Sequence, residues 1–113
     1  MDRIDPFDHR WVVSSLQVRA DRVAAGADPE RERRALFDEL WPWAVGFADR
    51  ACRRLPPQAD ADEVRSRVLL AVWESTGRID WSRAAAWPSL LRRRVAGARA
   101  DAARADDVLP RRQ

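Results

Sequence analysis

The sequence predicts an all-α fold, a small helical domain of about four to five helices. Three observations predict it. Apolar residues recur at helical spacing along most of the chain, breaker and capping residues divide it into helix-length segments, and β-branched residues are few, with no sustained alternation of the kind a strand needs. At 113 residues, 46% apolar, with six tryptophans and three phenylalanines, the chain has material for one modest core and is read as a single domain over 1–113. No internal repeat is present.

Each element follows from local chemistry. Asp5-Pro6 reads as an N-cap with proline at the first helical position and Gly26 as a stop, predicting a first helix over roughly 6–25 in which Phe7, Trp11 and Val18 share a face. Asp28-Pro29-Glu30 repeats the start signal. Leu36, Leu40, Trp43, Phe47, Ala51 and Leu55 then continue at helical spacing until Pro56-Pro57, with Pro42 predicting a kink or split inside the run. Trp41, Trp43 and Phe47 are expected in the core.

Asp60 with Glu63 resembles a capping box, and Gly77 closes the helix that follows. Val64, Val68, Val72 and Ser75 line one side of that helix; Glu63, Ser66, Arg67, Leu70 and Glu74 lie on the other, with Trp73 at its flank. Asp80 or Ser82 is expected to cap a short turn. Pro88 suits the first position of the last helix, whose apolar stripe is Trp87, Leu91, Val95, Ala98 and Ala102.

Charge is local. The net charge is +3 and all 21 basic residues are arginine, a pattern of compositional bias that weakens the case for arginine being chosen at any one position for its fork geometry. Residues 83–104 hold six arginines against Asp101 alone, whereas 1–30 and 60–80 are each net −2. At 100° per residue, Arg92 and Arg99 fall on one flank of the last stripe and Arg93 and Arg104 on the other. Arg94 lies nearer the stripe, beside Asp101, as a candidate structural ion pair. From charge alone, a solvated helix face fits at least as well as a nucleic-acid surface.

Several classes receive no support. The single cysteine, Cys52, has no disulfide partner and forms no recognised metal-ligand spacing with His9, so a buried, inert thiol is expected, with no metal and no cofactor. No phosphate loop or nucleophile–base pair is legible, and the chain is not expected to be an enzyme. No run approaches the ~18 apolar residues of a membrane span, and Asp2 and Asp5 replace the basic start of a leader, so a cytoplasmic protein without a membrane partner is expected.

Landmark spacing adds a resemblance. Read without gaps, WPWAVGFADRACRRLPPQADADEV (41–64) is similar to L-P-L-V-x-x-I-A-x-x-L-x-R-R-L-P-P-x-x-D-x-D-D-L, the start of conserved region 2 in sigma-70-family transcription factors, closest to the flagellar and sporulation branch. In the same register, LLAVWESTGRID (69–80) resembles L-L-G-L-L-E-A-x-x-R-F-D, VAGARADA (95–102) resembles I-R-G-A-x-x-D-x, and DVLPR (107–111) resembles D-W-V-P-R. The family pattern carries proline at the position of Pro42. On this reading residues 1–28 are an N-terminal helix and 29–111 the region-2-like part.

The resemblance implies two working surfaces. The helix matching 60–77 would dock on the clamp coiled coil of the largest subunit of core RNA polymerase through Glu63, Ser66, Arg67, Leu70 and Glu74. The helix matching 87–104 would contact the −10 element of promoter DNA, with Arg83, Trp87, Ser89, Arg92, Arg93 and Arg99 on the DNA side. Aromatic faces can stack on unpaired bases while arginines hold the backbone.

The chain departs from the family at both surfaces. The family's F-S-T-Y-A run corresponds to Trp87-Pro88-Ser89-Leu90-Leu91, and Arg92, Arg93 and Arg94 stand where many members carry aromatics. Weak or absent strand opening with retained backbone attraction is expected. On the other surface the family's glutamine corresponds to Ser66, an adjacent acid to Arg67 and a small residue to Val68, while Glu63 and Glu74 keep their landmarks.

Nothing in the chain corresponds to the C-terminal helix-turn-helix domain that reads the −35 element. A fragment of a longer gene product and a stand-alone region-2 protein both fit, Met1 and the N-terminal helix favouring the second. The leading expectation is therefore a sigma-like protein joined by a second protein that supplies −35 recognition. The alternative is a degenerate sigma-like interaction module that binds polymerase or an anti-sigma factor without DNA.

Overall fold

A computed structural model describes residues 4–57 and 59–108, with side chains as far as Asp101. The described residues form four helices joined by short connections, with no strand, in agreement with the all-α expectation.

Helix α1 is built of three abutting segments, α-helical at His9–Trp11, a π-helix over Val12–Gln17 and α-helical again at Val18–Ala24. Its cap is Asp8, which accepts from the Arg10 amide at 2.8 Å. The predicted start at Asp5 is corrected: Asp5 instead closes a turn, accepting from the Phe7 amide at 2.9 Å on its side chain and from the Asp8 amide at 3.0 Å on its carbonyl. That turn buries Pro6 and sets Phe7 edge-on to Trp43, 5.5 Å between centroids. The π-segment also rotates the buried face, because each i→i+5 turn holds an extra residue. Leu16 and Ala20 are therefore buried and Val18 is exposed, against the expectation for Val18.

Gly26 ends α1 at φ 108, with its amide on the Val23 carbonyl (3.0 Å) and the Ala27 amide on the Arg22 carbonyl (2.9 Å). This is a Schellman close, and the left-handed backbone is available to glycine without a Cβ clash.

Helix α2, Pro29–Arg53, is capped by Asp28, whose carboxylate accepts from the Glu30 amide at 3.0 Å. It continues through Pro42 as one element, so the chain does not split there. Asp38, whose carbonyl would have received the missing Pro42 amide, is an exposed residue, so the lost hydrogen bond falls on the solvent side of the helix. Leu36, Leu40, Ala44, Ala48 and Ala51 form its buried face. Trp41 stands one residue off that face and is 44% exposed, correcting its assignment to the core.

Helix α3, Ala61–Gly77, is capped by Asp60, which accepts from the Glu63 amide at 3.1 Å. Val64, Val68, Val72 and Ser75 are all fully buried, as their spacing predicts. The buried hydroxyls of Ser75 and Thr76 donate to the carbonyls of Ala71 (2.6 Å) and Val72 (2.7 Å), which keeps both polar groups satisfied in the core. Asp80 caps the 3-10 turn Trp81–Ala86, accepting from both the amide and the hydroxyl of Ser82. Helix α4, Trp87–Val108, then returns across α3.

Helix α3 is central, packing on α2 and α4. The main core joins Leu16, Leu36, Leu40, Val72, Trp87, Leu91 and Val95, and a second cluster joins Ala48, Ala51, Val64 and Val68 at the far end of α2 and α3. Ala102 of the predicted stripe lies beyond the described side chains, as does Arg104. Cys52 is half-buried, its thiol 3.3 Å from the Ala61 carbonyl, so the fully buried thiol expected from the sequence is corrected.

Helix α1 is held to α2 by two carboxylates, Glu39 and Glu32. Glu39 accepts from the Trp11 indole (3.2 Å), the Ser15 hydroxyl (2.7 Å) and Arg19 (2.6 Å). Burial alone would raise its pKa, but the hydrogen bonds from Arg19, Ser15 and Trp11 and the charge of Arg19 outweigh it and hold the group below the ordinary glutamate range. Arg19 also lies 3.6 Å from Glu32, which Arg22 reaches at 3.0 Å.

Two outcomes are expected. A carboxylate depressed in the folded state stabilises above its unfolded pKa, and that contribution is lost as pH falls through the folded value. The urea midpoint should accordingly drop on acidification below the ordinary glutamate range, and Glu39→Gln should flatten that drop while lowering stability at neutral pH by about 1–3 kcal/mol. Trp87→Phe should cost about 0.5–1.5 kcal/mol, the net worth of one hydrogen bond, because the Arg78 amide still reaches the Ser75 carbonyl at 3.1 Å, and Trp87→Ala about 3–5 kcal/mol, both read by urea denaturation.

Candidate nucleic-acid and protein interfaces

The α4 residues expected to face DNA do not share one environment. Trp87 is only 2% exposed, and its indole N–H donates to the Ser75 carbonyl at 2.7 Å. It is a core anchor, and no face of its ring is available to stack on a base. Its placement on the DNA side is corrected: the apolar stripe it begins is the stripe that packs on α3.

The remaining positions are accessible. Arg83 is exposed in the 3-10 turn, at a non-helical backbone position (φ −131, ψ 40), and Ser89 is exposed in the first turn of α4. Arg92 and Arg93 are exposed, and Arg99 is half-buried. Arg92 lies over the Phe7 ring with its guanidinium carbon 4.3 Å from the centroid, a cation–π contact. Arg94 is half-buried, its Nε is buried without a hydrogen-bond partner among the described residues, and it forms no ion pair with Asp101.

Arg99 faces α2. With Phe47, Arg50, Ala51 and Arg54 it lines an open cleft of about 140 Å³ between α2 and α4. Phe47 and Trp43 meet at 5.4 Å with their rings tilted by 37°, and Trp43 meets Phe7 edge-on at 5.5 Å. A continuous row of half-buried rings thus runs from Arg92 to the cleft. Arg50 and Arg54 were not legible as site residues from the sequence, because their approach to Arg99 depends on how α2 lies beside α4.

On α3, the five positions expected to meet polymerase stand as the helical spacing requires. Ser66, Arg67, Leu70 and Glu74 are exposed and Glu63 is half-buried, within an ion pair to Arg67 at 2.6 Å. Leu70 is 53% exposed. Trp73, 43% exposed, is edge-on to Phe37 at 4.9 Å, and Phe37 in turn meets Trp41 at 5.6 Å. Arg33 lies over Trp73 at 5.6 Å. Leu70, Trp73 and Trp41 together give the α2–α3 surface an apolar character that single exposed residues do not have. Spacing alone suggests the aromatic pair, since 37 and 41 are one helical turn apart.

No family model, curated protein or solved structure matches the chain.

The geometry therefore separates two surfaces. One is basic, built from α4 and the end of α2; the other is apolar and polar mixed, on the outer side of α3. No group of metal-ligating side chains is assembled among the described residues, and no helix there is long and apolar enough to cross a membrane.

If Leu70 is a surface residue without a core role, Leu70→Arg should leave stability within about 0.5 kcal/mol of wild type. Val68→Ala, a neighbouring inward position, should cost on the order of 1–3 kcal/mol. Thermal unfolding of both variants checks the contrast.

Proposed function

We propose that the protein is a sigma-factor-like transcription protein that docks on core RNA polymerase through the outer face of α3 and contacts −10 promoter DNA through the arginines of α4. The observation that carries the polymerase half is the exposure of Leu70 and Trp73 beside Ser66, Arg67 and Glu74 on one face. A free monomer gains nothing by exposing two large apolar side chains one turn apart, whereas a helical partner covers them. The resemblance of residues 41–80 to sigma region 2 supplies the identity of that partner.

The DNA half rests on charge and access. Arg83, Arg92 and Arg93 are exposed, and none of the three is in an ion pair among the described residues. Arginines in this state attract a phosphate backbone without reading its sequence. With Trp87 in the core and no aromatic at the positions of Arg92 to Arg94, strand capture through α4 is weak in this reading, and backbone attraction is what α4 contributes.

A second reading shares the fold and the α3 surface. In it the protein is an interaction module that binds polymerase or an anti-sigma factor and leaves DNA alone. The burial of Trp87 favours it, because the first aromatic of the family's run is removed from the surface.

Tagged protein should bring down core RNA polymerase from its own host at moderate salt, and Leu70→Arg should reduce recovery at least tenfold. Arg92→Glu/Arg93→Glu should retain polymerase and lose binding to promoter DNA. Retention of DNA binding by that double variant, or equal polymerase recovery with Leu70→Arg, would sink the corresponding half.

A further inference from the structure

We infer that Arg50 and Arg54 of α2, together with Arg99 of α4, form a phosphate-binding subsite that holds one backbone phosphate of the DNA strand contacted by α4. The inference rests on the DNA half of the function proposed above. It adds two residues from a different helix and a defined place for one phosphate.

The cleft carries positive charge from two helices. Arg50, Arg54 and Arg99 line an open space of about 140 Å³ together with Phe47 and Ala51. None of the three pairs with a carboxylate among the described residues. The nearest acid in sequence, Asp49, is bound to Arg65 at 2.7 Å, and Asp101 stands about 200° round α4 from Arg99. Like charges lining one cleft repel one another, and an anion held among them offsets that repulsion. Cations in the last turn of a helix are ordinarily explained by its dipole. That explanation covers Arg50 and the C-cap residue Arg54 but not Arg99, which lies in the middle of α4.

A strand fits better than a free anion because the basic surface continues beyond the cleft. From Phe47 the row passes Trp43 and Phe7 to Arg92, which lies over the Phe7 ring. Arg92 and Arg99 are seven residues apart on α4, roughly 10 Å along its axis, which is the axial rise of about three nucleotides of one strand. A lone phosphate would use one end of this row. A strand uses both.

The test is fluorescence anisotropy of a labelled oligothymidylate of about 12 nucleotides, titrated over a series of salt concentrations. Wild type is compared with Arg50→Ala/Arg54→Ala and with the charge-matched control Arg53→Ala/Arg78→Ala, whose side chains are exposed and do not line the cleft. The cleft variant should bind about tenfold more weakly, and its slope of log K against log salt should be shallower by about 0.7, the value for one phosphate of a single strand. The control should show a smaller loss. Arg99→Gln, which reaches the cleft from the other helix, should reproduce the cleft variant and serves if the α2 double variant does not fold.

Wild-type-like binding by the cleft variant, or a loss no larger than the control's, overturns the subsite. If Arg92→Ala/Arg93→Ala weakens binding in that same series, the DNA half of the proposed function survives without it. If wild type binds no oligonucleotide, the subsite is overturned, and the DNA half of the proposed function is decided separately by promoter-DNA binding of wild type against Arg92→Glu/Arg93→Glu.

Discussion

The hydrogen bond from the Trp87 indole to the Ser75 carbonyl, 2.7 Å long and buried, is the joint on which the rest of the domain depends. It ties the first residue of α4 to the end of α3, across the 3-10 turn that reverses the chain. The same carbonyl accepts from the Arg78 amide at 3.1 Å, so the indole adds a second hydrogen bond worth about 0.5–1.5 kcal/mol net, and its large ring fills the space between helices. With this corner fixed, Leu91 and Val95 follow onto the core and the direction of α4 is set. The arginines of α4 inherit their positions from it.

The same joint explains how one small domain presents two unlike surfaces. Helix α3 spends its valine face and two back-bonded hydroxyls on the interior, so its outer face is free of packing duty. Helix α4 spends Trp87, Leu91 and Val95 in the same way, leaving its flanks to arginine. Helix α1 is clamped separately, by the hydrogen bonds to Glu39. That clamp places Phe7 beneath Arg92 and Trp43, which connects the basic flank of α4 to the cleft at the end of α2. The two surfaces thus depend on different contacts.

Much of the fold was legible because caps act locally. Asp28 and Asp60 each cap the element their position predicts, and of the two candidates Asp80 and Ser82 it is Asp80 that caps the short turn, since an N-cap needs only its own carboxylate and an amide two or three residues on. The inward face of α3 was legible for a similar reason, as Val64, Val68 and Val72 at helical spacing can be buried together only on one side. The start of α1 was not legible. Two aspartates compete there, and the choice of Asp8 goes with the packing of Pro6 and Phe7. The π-segment left no signal in spacing, and it moved Val18 out of the core and Leu16 into it.

By itself the sequence determined the helical class, the caps of α2 and α3, the inward valines of α3 and the concentration of arginine in residues 83–104, because these follow from short-range geometry and composition. Only the tertiary structure decided that Trp87 is an anchor rather than a stacking platform, that Trp41 joins Trp73 at the surface, and that Arg50 and Arg54 meet Arg99 across a cleft. Helical periodicity defines which side chains share a face but not which face a neighbouring helix covers. That choice belongs to the packing of α2, α3 and α4 against one another, and it is long-range.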